Sequence, residues 1–122
     1  MTSPIHQPIR DPAHVVVALT EKTRVGKLRW EPAPQEDTFH VNIGGHTYLR
    51  IFLVKSELRN AMGDIEVHTV PTLNMLDEKG RIIWAVDSRT VNEVRELHRQ
   101  AQNKADRVEE RISLLMDALS KM

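Results

Sequence analysis

The sequence contains no cysteine, which rules out disulfides, zinc–thiolate sites and thiol nucleophiles and suits a reducing compartment. Aromatic residues are scarce: two Trp, two Phe and one Tyr in 122 residues. The core must be mostly aliphatic, and each large aromatic carries a sizeable share of it. No apolar run approaches the roughly 20 residues that a membrane helix requires. The opening stretch MTSPIHQPIRDPAH lacks the apolar segment of a secretory signal. These absences give the expectation of a cytoplasmic protein. A charge excess is missing too, because 17 basic and 17 acidic side chains cancel. That balance argues against general binding to nucleic acid or anionic membranes, which rests on clustered positive charge, yet it leaves room for a local basic patch.

Motifs that carry chemistry are also lacking. There is no nucleophile elbow, P-loop, dinucleotide-binding glycine pattern or spaced carboxylate pair. Of six histidines, His40, His46 and His68 could meet on a sheet, but no short metal-ligand spacing joins them. His14 and His98 fall on helices with no ligand one turn away. Asp64, Asp77 and Glu78 sit in turns, where acidic residues serve local geometry. The expectation is no catalytic residue, no cofactor and no metal.

What is present describes an architecture. The length fits one domain over 11–122, preceded by a loose, proline-containing arm over 1–10. Asp11 can cap a helix that has Pro12 at its first position, with Val15, Val16, Leu19 and Thr23 along one face. Lys22 and Arg24 suit the last turn of that helix, and Gly26 suits its left-handed stop. Leu28 and Trp30 then alternate with Lys27, Arg29 and Glu31, which opens a fifth strand at 27–31 and makes Trp30 either a core anchor or part of a binding edge. Phe39, Val41 and Ile43 alternate with polar residues as a half-buried strand, and Gly44-Gly45 gives a two-residue hairpin turn. HTYLRIFLV returns as a central strand, and 55–64 interrupts the pattern. IEVHTV and LNML form a third strand, with Pro71 marking an edge, bulge or break. RIIWAV is a fourth strand, with Ile82, Trp84 and Val86 on one face.

From Thr90, with Glu93 three residues on in a capping-box pattern, neither Pro nor Gly occurs to the end of the chain. Apolar residues recur in steps of three and four, predicting one helix over 90–121, about 48 Å long. A compact body of this chain length is only about 35 Å across. Two eleven-residue intervals, Val94 to Ala105 and Leu97 to Val108, predict a locally straight helix. Like charges recur one turn apart at Arg95/Arg99, Asp106/Glu110 and Arg107/Arg111, answered either by neighbours such as Glu96 and Glu110 or by a second helix. Asp87-Ser88-Arg89-Thr90 is either an ordinary helix entry or an anion-facing one.

Three stretches, ALTEKTRVGKLRWEP, LNMLDEKGRII and VRELHRQAQNKADRVEERISLLMDAL, carry a resemblance that spans 15–119. The chain resembles a group of short bacterial proteins with a helix ending in a Gly-Lys-Leu/Ile-x-Trp run, a central sheet with an Asp-x-x-Gly turn, and a long C-terminal helix. The resemblance implies a fold and a bacterial origin, and it transfers no activity or site residue.

The expected fold is α+β: an N-terminal helix, four or five antiparallel strands and a long C-terminal helix. The expected function is a protein-interaction module that self-associates as a homodimer through Val108, Ile112, Leu115, Leu119 and Met122, their helix crossing a symmetric partner. The alternative is a nucleic-acid- or nucleotide-binding accessory protein that uses Arg24, Lys27, Arg29 and Trp30, or a second patch at Lys104, Arg107 and Arg111.

Overall fold

A computed structural model describes residues 11–122; the arm expected over 1–10 lies outside the described residues. The order of elements is α1 (Pro12–Arg24), β1 (Glu31–Pro32), β2 (Phe39–Gly44), β3 (Thr47–Arg59), β4 (Ile65–Leu76), β5 (Ile82–Asp87), α2 (Val94–Ala105) and α3 (Val108–Ser120). The strands form one antiparallel meander in chain order, so the α+β class holds with five strands.

Helix α1 starts and stops on the signals in its sequence. Asp11 Oδ1 accepts the Ala13 N–H at 3.0 Å, and Pro12 takes the first turn, where a missing N–H costs nothing. At the other end Gly26 adopts φ +81°. Its N–H donates to the Thr23 carbonyl and that of Lys27 to the Lys22 carbonyl, the paired closure that a left-handed glycine permits. The turn swings Trp30 back against α1. Its Nε1 donates to Thr23 Oγ1 at 2.9 Å, and that hydroxyl donates on to the Leu19 carbonyl at 2.7 Å. Trp30 is only 3% exposed, so the indole is a core anchor with its polar atom satisfied. The fifth strand is β1, two residues at Glu31–Pro32 in place of 27–31.

Alternation sets the two faces of the sheet. Phe39 and Val41, Leu49 and Ile51, Leu73, and Val86 point to one side, where Val91, Val94, Leu97 and Ala101 close over them and Val16 and Trp30 complete the cluster. In β5 the expected face of Ile82, Trp84 and Val86 breaks at a bulge. Met75 pairs with Trp84 but Leu76 with Ile82, so Ile83 is an extra residue and Ile82 is left exposed. A bulge also moves the β2–β3 turn. Asn42 pairs with Tyr48 and Gly44 with Thr47, so the turn residues are Gly45 and His46, with φ +58° and +68°, rather than Gly44-Gly45.

Two features depart further from the sequence reading. The interruption expected at 55–64 is instead the far half of a hairpin, in which β3 and β4 pair without a break from Tyr48↔Leu76 to Arg59↔Ile65. Its tip is wound around Asn60, whose Oδ1 accepts the N–H groups of Met62 and Asp64 at 2.9 and 3.0 Å. Pro71 sits inside this pairing. Its carbonyl accepts from Ser88, so its nitrogen faces the β5 side, and β5 ends at Asp87. The missing N–H is therefore directed where no strand remains to receive it.

The second departure is a correction. The single helix over 90–121 is two helices, joined at Arg107 in the left-handed conformation with φ 54° and ψ 45°. Thr90 and Glu93 form no capping box, because the helix begins at Val94 without a side-chain cap, after a turn held by Asp87. Val94, Leu97 and Ala101 are fully buried against sheet and α1, and Ala105 is the last helical residue that packs on this core. The chain turns as soon as the body beneath it ends.

His98, on α2, shows how tightly the body is closed. Its Nε2 donates to the Asp37 carbonyl at 2.9 Å, and its ring meets Phe39 edge-on at 5.6 Å. Replacing His98 by Leu should lower stability by about 1–3 kcal/mol, since a part-buried carbonyl loses its donor. Urea unfolding measures this, and an unchanged midpoint would mean that water replaces the imidazole.

Candidate functional site

Two parts of the molecule lie outside the core. The first is α3. It has no buried residue, and its principal contacts are with α2. Ile112, Leu115 and Leu119 are 54%, 56% and 53% exposed, and Met122 is 97% exposed. With Val108 they recur at steps of four and three, a stripe along one face of the helix. Leu114 and Met116 are as exposed; Met116 borders the stripe, while Leu114 lies on another side of the helix. The expected interface residues are thus brought together on one accessible surface.

The second part is the far half of the β3–β4 hairpin, of which the sequence shows the returning strand IEVHTV but not the pairing of 55–59 with it. β2 pairs with β3 no further than Ile51, and β5 pairs with β4 no further than Thr72. Beyond these points the two strands project as a ribbon with no third strand among the described residues. Ile65 and Val67 are 58% and 60% exposed, and Leu58 and Met62 are exposed as well. The segment KSELRNAMGD is polar and charged because the ribbon has no inner side, so the usual burial signal of a strand is absent.

The residues of the alternative reading are also placed. The two basic patches meet: Arg29 and Trp30 from one, and Lys104 and Arg107 from the other, line a cleft of about 390 Å³ beside the α2–α3 joint. Glu31 and Glu110 line the same cleft, which mixes its charge. Trp30 is turned inward and presents no face on which a base could stack. Arg24 is ion-paired to Glu21, and Lys27 lies outside this cleft, in a neighbouring groove. Among the described residues no cluster of His, Asp and Glu has metal-binding geometry. His68 pairs with Glu66 at 3.2 Å on the ribbon.

The like-charge pairs along the C-terminal segment are answered within the chain. Arg99 binds Glu96, and Arg107 approaches Glu110 at 4.0 Å. Several carboxylates lie below their usual pKa for equally local reasons. The Arg99 side-chain hydrogen bond lowers Glu96, the Arg81 backbone N–H lowers Asp77, and the Arg89 guanidinium lowers Asp87. Asp87 also accepts the backbone N–H groups of Arg89 and Thr90, so Asp87-Ser88-Arg89-Thr90 is a self-satisfied turn.

A carboxylate whose folded pKa is depressed stabilises the fold fully above its unfolded pKa of about 4, and that contribution is lost as pH falls through the folded value. Asp87→Asn should therefore flatten the decline in urea midpoint below about pH 4, because Asn cannot titrate. An identical acid limb in the two proteins would remove Asp87 from the acid response.

Comparison with protein-family models, with curated proteins and with solved structures finds no match. No helix among the described residues is long and apolar enough to cross a membrane.

Proposed function

We propose that this chain is a small cytoplasmic interaction module, akin to the short bacterial proteins its motifs resemble, that self-associates as a homodimer through α3. One observation carries the reading: a helix of 13 residues, built in register with an apolar stripe, has no buried residue among those described. Fully burying a Leu, Ile or Met side chain is worth about 1.5–3 kcal/mol, so half-exposed ones leave about half of that unrealised. Contiguous apolar surface of this kind marks an interaction site. A two-fold pair of identical chains is the commonest closed assembly that would cover it.

The test is sedimentation equilibrium on the wild type and on Leu115→Asp/Leu119→Asp. The wild type should be dimeric at micromolar concentration and the double variant a folded monomer. A wild type that stays monomeric at tens of micromolar would sink the proposal.

A further inference from the structure

We propose that Arg107 is a hinge at which α2 and α3 pass between the bent form described above and one continuous helix, and that this motion sets the direction in which α3 presents its apolar stripe. The motion belongs to a single chain and does not require the self-association proposed above.

The bent form is built on an unfavourable residue. Arg107 sits at φ 54° and ψ 45°, where the Cβ of an L-residue crowds the following carbonyl oxygen. Glycine relieves that crowding and asparagine tolerates it, but neither occurs at 104–111, which reads KADRVEER. Turning there also costs hydrogen bonds. Helix α3 starts afresh, so the N–H groups of Val108, Glu109 and Glu110 have no carbonyl within their own helix, and Arg107 supplies no side-chain cap. A continuous helix would return them to the carbonyls of Lys104, Ala105 and Asp106.

Charge acts in the opposite direction. Lys104 approaches Glu109 across the joint at 3.9 Å. Those residues are five apart, a spacing that a straight helix places on different sides. Straightening would break this pair. It would also set Lys104 beside Arg107 and Asp106 beside Glu110, like charges three and four residues apart. Backbone geometry thus favours the continuous helix, and charge favours the bent one.

The body of the protein does not decide between them. Leu97 and Ala101 close the core, and Ala105 is the last helical residue packed against it. Helix α3 has no buried residue, and its principal contacts are with α2. The balance therefore rests on the local effects at 104–111, which oppose one another and are individually small. Two conformations separated by so small a gap are both populated.

The two forms differ in what they display. In a continuous helix Val108, Ile112, Leu115 and Leu119 follow Val94, Leu97, Ala101 and Ala105 in steps of three and four. The stripe then prolongs the face that α2 lays on the core and overhangs the body. In the bent form the stripe leaves that line at Arg107. A partner that covers it meets it at two different angles and draws the chain toward the form in which it binds better.

The chain has no cysteine, so introduced thiols carry spin labels only where they are wanted. Arg95→Cys/Ser120→Cys labels two exposed positions. It is diluted with unlabelled wild type, so that only distances within one chain are read, and measured by pulsed dipolar electron resonance. Positions 95 and 120 are about 38 Å apart in a continuous helix and closer in the bent form. The expected result is both distances, with the longer one gaining at high salt, which screens the charges at the joint. Adding Arg107→Gly should leave mainly the shorter distance, because glycine accepts the left-handed conformation and weakens a helix. Adding Arg107→Ala should enrich the longer one, and the two variants should differ by about tenfold or more in the ratio of the forms. Circular dichroism checks that each is folded. A single distance shared by the labelled parent, Arg107→Gly and Arg107→Ala at every salt concentration would overturn the hinge and leave the proposed self-association untouched.

Discussion

Replacing Trp30 by alanine is expected to cost about 3 kcal/mol or more of folding stability, as large aromatic truncations in cores do. The indole is one of only two in the chain, and it lies in the buried cluster with Val16, Leu97 and Ala101. Its truncation would open a cavity between α1, α2 and the first strand. It would also take the donor from Thr23 Oγ1, which is itself fully buried. The companion variant Thr23→Val keeps the packing volume and leaves the indole N–H without an acceptor, a loss of about 1–3 kcal/mol. The two losses should not add, because both remove the same hydrogen bond. Urea unfolding of the two single variants and the double variant measures this. If Trp30→Ala kept its midpoint and lost a binding partner instead, the basic residues around it would mark a recognition edge after all.

Trp30 also shows what made parts of the fold legible. A glycine that can take positive φ, after a helix with cations in its last turn, is a stop signal written in local chemistry. The alternation that follows is written in burial. The same is true of Asp11-Pro12 and of Phe39 and Val41. The stretch at 55–64 carries neither signal, since its strand residues are largely exposed and Asn60 makes its turn through side-chain hydrogen bonds. The joint at Arg107 is silent for another reason. Left-handed backbone usually announces itself as Gly or Asn, and an arginine there costs about 1 kcal/mol or more without altering any pattern. The three-four apolar steps continue through it, so periodicity could place the stripe of α3 but not the turn before it. The exposed face of Ile112, Leu115 and Leu119 was legible, whereas the ribbon and the cleft beside Arg107 needed three dimensions.

Concentration should change the stability of the wild type and leave that of Leu115→Asp/Leu119→Asp unchanged. The argument is mass action. When two folded chains associate and unfolded chains do not, association stabilises the folded state, increasingly so as protein concentration rises above the dissociation constant. For a dimer whose protomers fold independently, the gain is about 0.7 kcal/mol per protomer for each tenfold rise, half of the 1.4 kcal/mol that a factor of ten represents. Independent folding is a fair premise here, because Val94, Leu97 and Ala101 close the core before the chain reaches Arg107. The double variant places two carboxylates in the middle of the α3 stripe, where covering them would cost more than the leucines return. Its urea midpoint should therefore be the same at one and at one hundred micromolar, and should match that of the wild type at the dilute limit. Both leucines are more than half exposed, so the substitution removes little from the body. A double variant that unfolds outright would assign those leucines to the core of one chain. A wild-type midpoint that does not move with concentration would show that nothing covers α3 when the protein is alone.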